Sequence, residues 1–282
     1  MECIKNIDWN EVWTWQTYKH SECRNSDDCT SIWEDKENAR KFWQMSSKND
    51  HERSRKIISS IPITQDSNVL DIGAGPGSLA IPLCKIARHV TAIEPSAAML
   101  EVLRENVEEH ECNNITCVEK KWEDVNIETD LSGPYDIVIA SFSLGMPDIR
   151  KAVETMQAVC SGQIYLYWFA GDRPWDPYAR ELWPLHHGKE YHSMPKCDTL
   201  YNVLYQMGIY PNIETMSFEQ NETFSSLDEA VEHFGGHMGM KTAQEKEMLG
   251  RYLSDKLEKE NGTFVHKSLS NRVRIWWNTQ EN

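Results

Sequence analysis

The run Asp71-Ile72-Gly73-Ala74-Gly75-Pro76-Gly77 sets three glycines on alternate positions behind an acid, and a second carboxylate, Glu94, follows 23 residues after the first. Glycines at this spacing suit a strand-to-helix turn tight enough for a ligand to approach the backbone. The turn's N–H groups are expected to face that ligand. A carboxylate at the end of the next parallel strand is placed to accept both hydroxyls of a ribose. A dinucleotide fingerprint anchored on Gly73 wants Gly or Ala at position 78, where the chain has Ser78, and it does not call for the acid at 71. That spacing argues against NAD. No P-loop lysine follows the glycines either, so the expected ligand is a nucleoside with little negative charge.

These residues need a parallel sheet to position them. From about Ser67 to Trp168, short apolar runs alternate with helical patterns, the signature of such a sheet wrapped by helices. The expected strands are Val69 to Ile72, Val90 to Ile93, Ile115 to Val118, Ile137 to Ser141 and Ile164 to Trp168. Ser78 to Ala87, Ser96 to His110 and Asp148 to Val159 read as the helices between them, with Ser96 as an N-cap. Beyond Trp168 come a Trp-, Pro- and His-rich segment, a helix ending at Met207 and a strand around Ile213 to Phe218. Capping-box spacings at Ser226/Glu229 and Thr242/Glu245 announce two further helices, and Arg272 to Trp277 reads as a last strand, at or next to the sheet edge. Residues 1–62 are expected to form a tryptophan-rich helical lid or cap. Residues 63–282 form the core domain, with helical insertions at 172–207 and 226–260.

Composition narrows the function. The 282 residues are 40% hydrophobic and 26% charged, with 14 Gly and 11 Pro, the balance of a globular chain with a real core. Against 29 Lys and Arg stand 44 Asp and Glu, a net charge of −15 that repels phosphodiester backbones. Nucleic acid is not expected as a partner. Nor is a membrane: the opening residues carry no apolar signal segment, and no apolar stretch approaches the roughly eighteen residues of a span, so a cytoplasmic location is expected. The eight cysteines include no C-x-x-C pair, so reduced thiols are expected and no disulfide is assigned. His20, Cys23 and Cys29 offer nitrogen and sulfur ligands, but the spacing is not that of a zinc knuckle and no fourth ligand is evident; no metal is assigned.

The sequence D-I-G-A-G-P-G followed by A-I-E-P-S resembles motif I and its acidic follower in class I S-adenosylmethionine-dependent methyltransferases, over a core from about Asn68 to Trp168. The resemblance implies a Rossmann-like, doubly wound α/β fold with a seven-stranded, mostly parallel sheet containing one antiparallel strand. It implies S-adenosylmethionine as cofactor, with Gly73, Gly75 and Gly77 bordering its methionine part, Asp71 supporting that loop and Glu94 on the ribose. In the run Lys121-Trp122-Glu123-Asp124 it places an acid on the adenine amino group, with Glu123 chosen before Asp124 and Trp122 beside it. Met99 would pack on the adenine, and Ser141 would lie beside the transferable methyl. Met99 also fits ordinary core, and Glu123 a solvated helix start.

A sulfonium methyl is already activated, so such an enzyme must chiefly hold a nucleophile in line with it and exclude water. Where the acceptor needs deprotonation, His186 or His187, after the fifth strand, is the candidate base, with His192 nearby. Phe42 and Trp43 are lid candidates if they are not simply packed. The strand ending Ala140-Ser141-Phe142-Ser143-Leu144 lacks the Asn/Asp-Pro-Pro-Tyr/Phe pattern of amino methyltransferases acting on DNA bases or glutamine, and no Pro-Cys pair lies near it. A small-molecule acceptor is the leading expectation. A protein side chain and a Rossmann-type NAD-dependent oxidoreductase are the alternatives, and the oligomeric state stays open.

Overall fold

The computed structural model describes residues 7–24 and 33–280, without the side chains at positions 24, 48–50, 53, 186 and 220. In chain order the elements begin with α1 (Trp9–Arg24), α2 (Lys36–Ser46), α3 (Lys48–Ser59), β1 (Asn68–Ile72), α4 (Ala80–Cys84) and β2 (His89–Ile93). They continue with α5 (Ala97–Glu109), β3 (Ile115–Val118), β4 (Tyr135–Ser141), α6 (Ile149–Val159), β5 (Cys160–Phe169) and α7 (Asp176–His187). The chain ends with α8 (Cys197–Gln206), β6 (Asn212–Phe224), α9 (Leu227–Met238), α10 (Ala243–Lys256), β7 (Glu258–Glu260) and β8 (Thr263–Asn278).

The sheet order is β3-β2-β1-β4-β5-β8-β6, with the three-residue β7 pairing off this path onto β8. β1 runs parallel to both neighbours, Leu70 lying opposite Thr91 of β2 and Val138 of β4, and β2–β3 and β4–β5 are parallel too. Their apolar runs are buried as strands covered on both faces require: Val69, Leu70, Val90, Ile93, Val138 and Ile139 have no exposed surface. β8 is antiparallel to β5, since Ala170 N–H donates to Asn271 O while Thr279 N–H donates back to Gly162 O. The fold is therefore the expected mostly parallel, Rossmann-like sheet with one antiparallel strand; its main path has the expected seven strands, β7 adds an eighth, and β8 is the penultimate strand of the path.

Differences from expectation are local. α4 is shorter than Ser78 to Ala87 because Pro82 has no N–H to give to the carbonyl four residues before it. β6 and β8 are longer than expected. Their extensions carry polar residues, such as Glu219 and Glu222 of β6 and Asn271 of β8, which accepts the Ser217 hydroxyl at 2.8 Å, and these hide the apolar alternation.

The chain divides into two compact units. One comprises Thr30–Trp168, Asn202–Ile213 and Arg274–Asn282, and it holds the glycine run. The other comprises Met1–Cys29, Phe169–Tyr201 and Glu214–Val273. Its core gathers Leu182, Trp183, Phe224, Phe234, Leu249 and Leu253. α10 opens with the expected capping box, Thr242 and Glu245 each accepting the other's amide. In α9 Ser226 caps Glu229, whose carboxylate reaches one residue further back, to Ser225.

The cysteine expectation is corrected in the glycine-bearing unit, where Cys84 and Cys112 form a disulfide. Asn114 donates through Nδ2 to the carbonyls of Cys84 and Ala87, both at 3.0 Å, and so folds the turn after α5 onto the end of α4. The two thiols meet through that tertiary contact, which no short-range cysteine spacing announces. Among the described residues Cys23, Cys117, Cys160 and Cys197 are free. No described helix is long and apolar enough to cross a membrane.

Candidate functional site

Because Ile72 and Ile93 are register partners, the turn that leaves β1 lies beside the end of β2. Gly73 and Ala74 both donate their amides to Ile93 O, at 2.8 and 2.9 Å, and Gly75 donates to Glu94 Oε2 at 2.7 Å. The amides expected to face a ligand thus hold the turn to β2 instead. Gly73 has φ +73°, and a Cβ there would lie 2.3 Å from Ser143 Cβ, so no other residue fits. Gly75, at φ +56°, is the open point of the turn, since a Cβ there would meet nothing within 4 Å. Gly77 packs its backbone on Leu103 of α5.

Asp71 and Glu94 lie under this turn, 1% and 6% exposed. Burial, reinforced by the charge of Glu94, pushes the Asp71 carboxyl up to about 7. Its Oδ2 has no hydrogen-bond partner among the described residues. Burial also raises Glu94, against the Ser96 and Gly75 amides that favour its charged form. Each Glu94 oxygen accepts one amide and retains a lone pair for a further donor. Ser96 caps α5 by accepting the Met99 amide, and its hydroxyl donates to Trp33 O at 2.7 Å.

The other expected cofactor residues divide. Met99 is buried with Ala39 and Val102, and Trp33, Phe42 and Trp43 pack on the same cluster, so Phe42 and Trp43 join α2 to α5 and Trp33, just before α2, adds to the contact. Trp122 is buried and donates its indole N–H to Ala152 O of α6, while Glu123 and Asp124 are exposed in a single 3-10 turn. Ser141, half-buried, is the last residue of β4. The structure therefore brings Asp71, Gly73, Gly75, Gly77 and Glu94 into one connected cluster and anchors Trp122 on α6.

The candidate bases belong to the other unit. His187, at the end of α7, stacks on Trp183 with ring centroids 3.7 Å apart, and its Nε2 lies 3.6 Å from Glu245 Oε1. The side chain of His186 is outside the described residues. Asp176, in the aromatic segment before these histidines, is fully buried against Arg173 at 2.8 Å, with the Tyr191 hydroxyl donating to it at 3.0 Å. Burial works to raise this carboxyl, but the guanidinium holds it below its usual range. His20 and Cys23 bind the chain near His192, through His192 O and His192 N respectively, and Cys29 lies outside the described residues.

Two contacts to the glycine turn escape a reading by spacing. Ser143 Oγ donates to Ile72 O at 2.5 Å, and Ser78 Oγ donates to Ser46 Oγ of α2 at 2.9 Å. Nothing local distinguishes these serines; only the parallel β1–β4 register, which brings Ile72 opposite Ala140, points toward Ser143.

The cluster fits an adenosyl sulfonium. Among the described residues it has an open glycine, a buried carboxylate oxygen without a partner and no cation bonded to the turn, which suits a ligand without phosphates. Residues 69–162 match the methyltransferase domain family. An uncharacterized protein of Haemophilus influenzae is 28% identical over 229 residues, 80% of this chain and 81% of its own length. A mitochondrial ribosomal RNA small subunit methyltransferase of Arabidopsis thaliana is 33% identical over 100 residues, 34% of this chain but 25% of that protein. In fold, the chain resembles a Bacillus halodurans protein assigned as a methyltransferase, with a TM-score of 0.58 and 16% identity over 80% of this chain and 98% of the other. The domain match spans the glycine turn, Glu94 and the parallel strands that carry them, so this part of the chain is a methyltransferase domain of the S-adenosylmethionine-dependent kind.

Proposed function

We propose that the protein transfers the methyl group of S-adenosylmethionine to a small-molecule acceptor by in-line displacement. The observation that carries the acceptor class is the net charge of −15, which opposes a phosphodiester substrate. The likeness to the ribosomal RNA methyltransferase of Arabidopsis is confined to about a third of this chain, within a protein four times the matched length, and speaks for the shared cofactor chemistry.

The cofactor supplies a methyl group on a cationic sulfur, already activated for attack by a nucleophile. Glu94 would hold the ribose through its remaining lone pairs, and the open face of Gly75 would admit the methionine end. Asp71 would support the turn from beneath. Met99 and Glu123 would serve the adenine, with Trp122 fixing the Glu123 turn against α6, and Ser141 would border the methyl. His187, oriented by Glu245, or His186 would take the proton from an acceptor that carries one. Residues 1–62 would act as the cap and residues 63–282 as the core.

The test is incubation with methyl-labelled S-adenosylmethionine and fractionated cell extract. Label in the small-molecule fraction supports the proposal. Label in protein or RNA replaces the acceptor class and leaves the cofactor chemistry standing.

A further inference from the structure

We propose that Ser143 is a positioning residue for methyl transfer: it fastens the loop after β4 to the glycine turn and thereby sets where the methionine end of the cofactor lies. This rests on the reading that the glycine turn borders that end.

The turn is gripped from both sides of β1. On the β2 side, Ile93 O and Glu94 take the amides of Gly73, Ala74 and Gly75. On the β4 side the contact is Ser143, whose hydroxyl donates to Ile72 O at 2.5 Å. The approach there is as close as backbones allow, with Ser143 Cβ and Oγ at 2.3 and 2.9 Å from the position a Gly73 Cβ would occupy. Gly73 is thus required by Ser143 as much as by the turn.

Phe142 explains how Ser143 reaches that place. Its φ is +57°, a left-handed conformation that a residue with a Cβ adopts only when its surroundings impose it. The Phe142 amide is held by Tyr167 O of β5 at 3.0 Å, so it is not available to β1. The chain therefore leaves the line of β4 immediately after Ser141, and the next hydroxyl falls on the last carbonyl of β1. Strain of this kind clusters where a loop must be held in one position for function. The loop at the end of β4, where Ser141 is expected to border the methyl, cannot shift without the glycine turn shifting as well. Donor and acceptor loops are in this way mechanically one piece.

The experiment is calorimetric titration of wild-type and Ser143→Ala protein with S-adenosylhomocysteine and with 5′-methylthioadenosine, which keeps the adenosine and lacks the amino acid end. The wild type should prefer S-adenosylhomocysteine. Ser143→Ala should weaken S-adenosylhomocysteine about tenfold while changing 5′-methylthioadenosine by less than about twofold. An equal loss for both ligands means a merely structural serine, and no loss for either means no role; both overturn the proposal. Were the wild type to bind both ligands equally, the reading of the turn itself would fail, and Ser143 with it. Hydrogen exchange of the wild type gives a check that no unfolded variant can spoil. S-adenosylhomocysteine should slow exchange at 142–146 together with 73–77, and protection confined to 73–77 would refute the coupling.

Discussion

Glu94 Oε2 accepts the amide of Gly75 at 2.7 Å, so the carboxylate that ends β2 is also a structural partner of the glycine turn that ends β1. Its second oxygen accepts Ser96 N–H at 2.8 Å and so fixes the start of α5. A single side chain therefore joins the turn, the second strand and the helix that carries Met99. Glu94→Ala leaves two enclosed amides without their acceptor, at a cost of about 1–3 kcal/mol each. The variant should melt at a lower temperature and bind S-adenosylhomocysteine about a hundredfold more weakly, measured by calorimetry. Glu94→Gln, which keeps one acceptor oxygen, should fall between it and the wild type.

Asp71 gives the protein a pH dependence of unusual sign for a carboxylate. Folded, it keeps its proton up to about 7, while its ordinary value is 3.8. Between those values the folded state binds the extra proton, so the contribution is full below pH 3.8 and is lost as pH rises through about 7. Asp71→Asn cannot ionise. Its stability relative to wild type, read from denaturant midpoints, should therefore improve from pH 5 to pH 8 by roughly 2 to 3 kcal/mol. A constant difference across that range would mean that Asp71 is ionised in the folded protein throughout.

The parts of this site that rest on local spacing were legible in the sequence. Glycines on alternate positions, an acid at each end of the first two strands and the Ser96 cap all follow from residues within a turn or a strand of one another. What was hidden depends on pairing across the sheet: Ser143 meets Ile72 across 71 positions, and the Cys84–Cys112 bond spans 28. The fate of the turn's amides was missed for the same reason, because Ile93 O becomes their acceptor only once β1 and β2 lie in register. Met99 shows the opposite limit. Its helical spacing was plain, but spacing alone does not reveal that Ala39 and the aromatics of α2 cover it.

In the unit that holds α9 and α10, Glu222 is an acid-sensitive group. It bridges His233 of α9 at 3.3 Å and His266 of β8 at 3.2 Å. Burial alone would raise this carboxyl, but the two imidazoles bring it down to about 2 from 4.5. Its contribution is thus present above pH 4.5 and lost as pH falls through about 2, the reverse of Asp71. Glu222→Gln should flatten the acid limb of the stability curve below pH 4.5 by roughly 3 kcal/mol. An acid limb as steep as the wild type's would place the acid sensitivity in other carboxylates.

The Cys84–Cys112 bond closes a 28-residue loop, and its removal should cost roughly 3–4 kcal/mol through the freedom restored to the unfolded chain. Thiol titration in denaturant should count two more cysteines after reduction than before, and the Cys84→Ser, Cys112→Ser double variant should melt at the temperature of the reduced wild type. Equal thiol counts before and after reduction would mean that the pair is not bonded.

The most direct test of the account is calorimetric titration of the wild-type protein with S-adenosylmethionine and, separately, with NAD. The account predicts one saturable site for S-adenosylmethionine, abolished or strongly weakened in Glu94→Ala, and no heat of binding with NAD. Binding of NAD in place of S-adenosylmethionine, or S-adenosylmethionine binding that Glu94→Ala leaves unchanged, would contradict it.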